Sequence, residues 1–136
     1  VCIERYLDDK IKDIEAGSGG LILQPFWTPG ITNPNASGAI IGFSDFHTRY
    51  HLYRAIIEGI CLELYHGLVK MQKRSSVTVD ELFAGGGGSS SPVVCQIAAD
   101  VFGLPVHRIQ THEASAVGCA MVAFISQGVT AAMRTP

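Results

Sequence analysis

Apolar side chains fall along the chain either at helical spacing or in short runs bounded by turn residues. Ile3, Leu7, Ile11 and Ile14 are spaced four, four and three apart, which predicts a short amphipathic helix over residues 3–14. Gly17-Ser18-Gly19-Gly20 stops it. Leu21 to Gln24 reads as a short buried strand ended by Pro25, and the Pro-, Gly- and Asn-rich stretch from Phe26 to Ser37 reads as a loop. Gly38 to Phe43 is the next strand. A long helix follows from about His47 to Lys73, with Leu52, Ile56, Ile60, Leu64 and Leu68 four apart and Tyr53, Ile57 and Cys61 widening the stripe. Residues from Val77 to Ala84 lead into a third strand, which runs into Gly85 to Ser91. Val93/Val94, Ile97/Ala98 and Val101/Phe102 mark a helix that Gly103 stops. Pro105 to Ile109 is a fourth strand, and an Ala-rich helix starts near His112-Glu113. Strands alternating with helices predict an α/β fold whose sheet is covered by helices.

Composition narrows the class. The 136 residues suffice for one domain with one core. Ten Lys and Arg against twelve Asp and Glu leave a charge of −2, too near neutral for a chain that grips nucleic acid by its phosphates. Only 16% of residues are charged and 47% are apolar, which excludes intrinsic disorder. Cysteines at 2, 61, 95 and 119 form no Cys-x-x-Cys, so the chain is expected to be reduced and cytoplasmic. Ala114 to Met133 carries no charge over twenty residues, enough in length for a membrane span. Half of it is Ala, Gly or Ser, so the expectation is a buried, close-packed helix ending at Gly128, with no membrane association.

The Gly85–Ser91 run is the segment with most chemical content. Taken alone it has the composition of a flexible linker. Its flanks differ: an apolar strand enters it and a helix leaves it at Pro92, a residue favoured in a first helical turn. A strand, glycine turn and helix in that order let a ligand meet bare backbone and the N–H groups of a helix start. The spacing is neither Gly-x-Gly-x-x-Gly nor a lysine-bearing phosphate loop, so a tight turn without a ligand stays open on spacing alone. His47 and His51 are four apart as a metal pair would be, but no third ligand lies near them in sequence. Phe26 and Trp27 are expected to pin their loop onto the core. Gly59, in mid-helix, costs about 1 kcal/mol relative to Ala, which a close backbone approach by another element would explain.

Taken in order, these segments resemble the C-terminal domain of the FGGY carbohydrate kinases. The resemblance runs from about Gly20 to Gly128 and rests on ordered anchors. These are Pro34 to Ala39, Gly42-Phe43, His47-Thr48, Arg54 to Gly59, Gly86 to Ser89 with Ser91, Gln96 to Val106, Glu113-Ala114 and Gly118 to Ala120. The family has an actin-like architecture of two ribonuclease-H-like lobes that hold ATP and substrate in the cleft between them. The resemblance implies that this chain is an incomplete lobe of that kind and holds the nucleotide. Gly86, Gly87 and Gly88 would lie against the adenosine, with Ser89 and Ser91 as nearby hydroxyls. In the intact enzyme the implied reaction is transfer of the ATP γ-phosphoryl to a sugar or polyol hydroxyl, with Mg²⁺.

The chain also departs from the family. Pro92 stands where glycerol kinases carry an Asn against adenine, and Ser90 where many relatives have a basic residue. The loop Phe26–Asn33 lacks a Gly-Glu-Arg trio, which points away from the xylulose and gluconate branches. The phosphate-gripping Asp-x-Gly-Thr turn, the sugar contacts and the catalytic aspartate belong to the family's N-terminal lobe, so no residue here is assigned as catalytic. His47, Glu58 and Glu113 are the tempting general bases, and each has a structural reading. With no initiator Met and an end at Arg134-Thr135-Pro136, residues 1–136 are expected to be a single domain truncated at both ends and inactive alone. A sheet edge left open by a missing hairpin is expected to drive homodimerisation. The alternative is a non-catalytic actin-like binding or regulatory module.

Overall fold

The computed structural model describes residues 3–27, 34–111 and 113–128. The element order is α1 (Ile3–Ile11), β1 (Ile22–Gln24), β2 (Ala39–Ile41), α2 (Arg49–Ser75), β3 (Leu82–Ala84), α3 (Pro92–Phe102), β4 (Val106–Arg108) and α4 (Ala114–Ser126). Every helix and strand expected from periodicity is present. The middle of the expected 26–37 loop (residues 28–33) lies outside the described residues, as do Cys2, His112 and residues 129–136.

Local signals account for most of the boundaries. Thr48 caps α2, its hydroxyl accepting from the Tyr50 N–H at 3.3 Å, while the His51 ring closes the reciprocal bond to the Thr48 N–H at 3.2 Å. That capping box starts the helix at Arg49, two residues later than the periodicity alone suggests. At the other end of α3, Gly103 takes the left-handed conformation (φ 63°) and its N–H returns to the Ala99 carbonyl at 2.9 Å. α1 stops at Ile11, short of the expected Ile14, and its terminal Ile11 carbonyl accepts from the Arg54 guanidinium at 3.0 Å and from the Ile14 N–H at 3.3 Å.

α2 is the central element. On one side β1 packs against it through Leu21 and Leu23, with Ala55, Leu52 and Ile56. On another, Ile57 and Cys61 meet Ile11 of α1 and Ile97 of α3 in the second cluster, flanked by Tyr50, Tyr53, Val93, Val94 and Val101. Gly59 sits where β1 crosses: a Cβ there would stand 2.5 Å from the Leu23 carbonyl oxygen. The close approach expected of that glycine is therefore present.

The four strands form two two-stranded sheets. β1 and β2 are antiparallel, in the register Ile22↔Ile41, Leu23↔Ile40 and Gln24↔Ala39, so Leu23 faces the core while Ile22 and Ile41 face outward together. β3 and β4 are parallel, Leu82 opposite Val106 and Ala84 opposite Arg108, with α3 as their crossover.

Three expectations about burial are corrected. The stripe Leu52–Leu68 is not wholly inside: Ile60 and Leu64 are exposed, and the buried face of α2 is Arg54, Ala55, Ile57, Glu58, Gly59 and Cys61. α4 was expected to be buried, but none of its residues is, because no described element covers it. Among the described residues no helix is long and apolar enough to cross a membrane. Trp27 does not pin its loop into the core; it is 59% exposed, with its ring lying alongside Gly38.

Candidate functional site

β3 delivers the chain into the glycine run, and the run is an ordered turn. Gly85 lies close to Ile109 and Ala114, where a Cβ would be 2.7 Å from the Ile109 side chain. Gly86 turns with φ 88° and ψ 178°, a conformation open to glycine alone. Residues Gly87–Ser90 then make one 3₁₀ turn. Two serines lock it: the Ser89 hydroxyl donates to the Gly86 carbonyl and the Ser90 hydroxyl to the Gly87 carbonyl, both at 2.7 Å. The Cys95 thiol lies 3.7 Å from the Ser89 carbonyl, and the Arg108 guanidinium 3.3 Å from that of Ser90. Burial pushes the Cys95 thiol above its ordinary pKa, keeping it neutral and fit to donate. Ser91 caps α3, its Oγ accepting from the Val94 N–H at 3.1 Å, and Pro92 follows as the first helical residue.

This turn and the start of α3 form one wall of an open groove of about 940 Å³, within the size range of small-molecule sites. Gly87, Gly88, Ser90, Ser91, Pro92, Val93 and Val94 line that side. A Cβ at Gly87 or Gly88 would meet no atom within 4 Å, so the two glycines leave backbone bare toward open space. The rest of the lining is α1, with Glu4, Arg5, Asp8 and Asp9, then Lys12 just beyond its end, and Tyr53 of α2. Tyr53 donates to Asp8 at 3.3 Å; its own burial, with the Asp8 charge and that bond, holds its hydroxyl above the ordinary tyrosine pKa. Lys12 bonds Asp9 at 2.7 Å, which lowers the Asp9 pKa and raises that of Lys12.

Of the five residues singled out from sequence, Gly87, Gly88 and Ser91 line this groove. Gly86 and Ser89 do not: they stand behind it, Ser89 buried with its hydroxyl spent on the turn. The α1 wall and Tyr53 were missed. The charged residues of α1 read as a solvated helix face, and no sequence signal places that face opposite a loop some eighty residues on.

The tempting general bases are occupied elsewhere. Glu58 is buried, bonded by Arg54 Nε at 2.7 Å, by the Ser18 hydroxyl at 3.0 Å and by the Gly17 N–H at 3.2 Å. His47 takes the Ser44 N–H on Nδ1 at 2.9 Å and lies 3.2 Å from the Gly19 carbonyl through Nε2. Glu113 precedes the first residue of α4. His47 and His51 stack edge to face with 5.4 Å between ring centres, each Nδ1 engaged by backbone N–H.

Residues 16–127 match the FGGY family of carbohydrate kinases, C-terminal domain. Among curated relatives, glycerol kinase 1 of Streptomyces coelicolor is 35% identical over 107 residues, covering 79% of this chain and 20% of its own length. Glycerol kinase of Ralstonia pickettii is 35% identical over 114 residues, covering 82% of this chain and 23% of its own. Xylulose kinase from Rhodospirillum rubrum superposes with a TM-score of 0.78 at 34% identity, covering 96% of this chain and 26% of that one. Glycerol kinase from Plasmodium falciparum, solved with ADP, shares the fold at a TM-score of 0.75 and 20% identity, covering 93% of this chain and 26% of that one. This chain thus spans about a fifth of the curated relatives it matches. Glycerol kinases and xylulose kinases both stand among its similar proteins. The ordered anchors, the strand–glycine turn–helix geometry and the match over residues 16–127 together make this chain a C-terminal domain of the FGGY family of carbohydrate kinases, with the actin-like fold of its relatives.

Proposed function

We propose that this chain is the nucleotide-binding part of an ATP-dependent kinase that phosphorylates a hydroxyl of a sugar or polyol. The observation that carries the reading is the groove, in which bare Gly87 and Gly88 backbone in the turn before α3 shares a lining with the charged residues of α1. Three carboxylates (Glu4, Asp8, Asp9) against two cations (Arg5, Lys12) on that wall suit the neutral, amine-bearing adenosine better than the polyanionic phosphates. The base and ribose therefore belong in the groove, and the phosphates lead out of it toward parts of the kinase beyond this chain.

The sugar is held by the N-terminal lobe in this reading, as is the group that activates its hydroxyl. What this chain contributes is position: a rigid turn and a braced helix that hold one end of ATP while the γ-phosphoryl is presented in line. Mg²⁺ neutralises phosphate charge when bound. No residue of this chain is assigned to it in this reading. The unpaired buried thiols of Cys61 and Cys95 fit a reducing, cytoplasmic setting.

Calorimetric titration of the chain with ATP tests the site, using Gly87→Val as the probe. Its Cβ projects into open groove, so the fold should survive while affinity falls at least tenfold, about 1.4 kcal/mol. Equal affinity in both proteins places the nucleotide elsewhere. A coupled assay over a polyol and ketose panel should show no sugar-dependent ATP consumption by the chain alone. Turnover that a substitution within the chain abolishes would overturn the division of labour between lobes. If the intact protein bound ATP with no turnover on any acceptor, the non-catalytic module would be the correct reading.

A further inference from the structure

α1 is a groove wall that touches the rest of the domain through a ladder of contacts on α2. Tyr6 and Tyr50 share a hydroxyl–hydroxyl bond of 2.9 Å at one end. Tyr53 reaches Asp8 at 3.3 Å in the middle. At the far end Arg54 donates through Nη1 to the Ile11 carbonyl at 3.0 Å and through Nε to Glu58 at 2.7 Å. Glu58 in turn receives the Gly17 N–H on both oxygens at 3.2 Å and the Ser18 hydroxyl at 3.0 Å. Positions 50, 53/54 and 57/58 recur on one face of α2, so one helix grips α1 from its first turn to the bend beyond its end.

The last rung differs in kind from the others. Arg54 and Glu58 are both only 9% exposed, and Ser18 is fully buried. A buried ion pair is a weak source of net stability, since desolvation offsets much of the attraction, but it holds its partners in one arrangement. This pair accepts no freedom of that kind: each group meets a defined backbone atom at the end of α1 or in the turn after it. Ser18 adopts φ 51° between Gly17 at 84° and Gly19 at 67°; the left-handed conformation is costly only at Ser18, and the run presents Gly17 N–H and Ser18 Oγ to a single carboxylate. Lys12, one residue past α1, lines both the main groove and a smaller cavity of about 390 Å³ that Arg54 itself lines.

We propose that Arg54 and Glu58 are positioning residues for nucleotide, setting the distance between the α1 wall and the Gly87–Gly88 turn; this rests on the nucleotide reading of the groove. They touch no ligand. Weakening the pair lets α1 drift from α2 and loosens the fit around the adenosine, so nucleotide affinity falls while the chemistry, housed in the other lobe, keeps its rate.

The test compares Glu58→Gln and the milder Ser18→Ala with Leu21→Val, a core truncation in the other cluster chosen as a stability control. ATP binding to the chain is read by calorimetry, Tm by thermal melting, and amide exchange at Gly17 and along α1 by NMR. Glu58→Gln should weaken ATP at least fivefold, Ser18→Ala about twofold, and both should speed exchange at Gly17 and α1 while α3 stays protected. Leu21→Val should lower Tm without changing ATP affinity. In the intact kinase Glu58→Gln should raise KM for ATP with kcat and the sugar KM unchanged. Should Glu58→Gln fail to fold, Ser18→Ala decides alone. Affinity loss that merely tracks Tm in all three variants, or unchanged affinity with faster Gly17 exchange, overturns the proposal and leaves the groove assignment standing. Absence of ATP binding by the unsubstituted chain overturns both.

Discussion

Two glycines on one helix should respond oppositely to the same substitution. Gly59 and Gly67 both lie inside α2, and helix propensity alone favours Ala over Gly by about 1 kcal/mol at each. At Gly67 a Cβ meets nothing within 4 Å, so Gly67→Ala should stabilise the domain by about 0.5–1 kcal/mol. At Gly59 the Cβ would be 2.5 Å from the Leu23 carbonyl oxygen and 3.0 Å from Leu23 Cδ2, where ordinary contact begins at 3.4 Å. About 0.9 Å must therefore be given up by a strand whose Leu23 is paired with Ile40 and buried against α2. Forcing a methyl group into a packed interface costs about 1–3 kcal/mol, and the upper half applies where the obstacle is backbone. Set against the propensity gain, Gly59→Ala should destabilise by about 1–2 kcal/mol. Urea unfolding followed by circular dichroism reads both, as midpoints at unchanged m-value. Were Gly59→Ala to stabilise the domain as Gly67→Ala does, β1 would not cross α2 at this point and the packing described for the first core cluster would be wrong.

Removing the α3 cap by Ser91→Ala should cost about 1 kcal/mol and speed amide exchange at Val94; an unchanged melting curve would mean that the cap does not hold the turn. Stability should be flat in mild alkali and fall above about pH 9. Burial, with the Glu58 charge, raises Cys61 above 9.0, burial raises Cys95 likewise, and burial with Asp8 raises Tyr53 above 10.0. In each case the fold favours the protonated form, so the contribution is whole below the unfolded pKa and is lost as pH climbs through the folded one. Tyr53→Phe should flatten the upper part of that fall, and an equally steep decline in the variant counts against the Tyr53–Asp8 contact. The isolated chain should self-associate at micromolar concentration. Ile22 and Ile41 are 59% and 62% exposed on the outward side of β1–β2, Phe43 just beyond β2 is 60% exposed, and Phe83 is 66% exposed on β3, area whose burial yields about 25 cal/mol per Å². A strictly monomeric species in sedimentation velocity would refute this.

What the sequence determined by itself was whatever local chemistry controls. Apolar spacing of three and four placed the helices and short apolar runs between turn residues placed the strands, while Pro92 and Gly103 bounded α3 because first-turn proline and left-handed glycine act within a residue or two of themselves. The glycine turn was legible for the same reason, an apolar strand before it and a helix start after it. Pairing was not: β1 with β2 and β3 with β4 join residues brought together only by the folded chain. Burial was not legible either wherever it depends on a distant partner. α4 is more apolar than α2, yet none of its described residues is buried. Arg54 and Glu58 are charged yet buried, because the Ile11 carbonyl, Gly17 N–H and Ser18 hydroxyl arrive from some forty residues earlier to satisfy them. The groove follows the same rule. Its turn was visible in a run of glycines, but its other wall, α1, became one only when α2 held that charged helix face across from the turn.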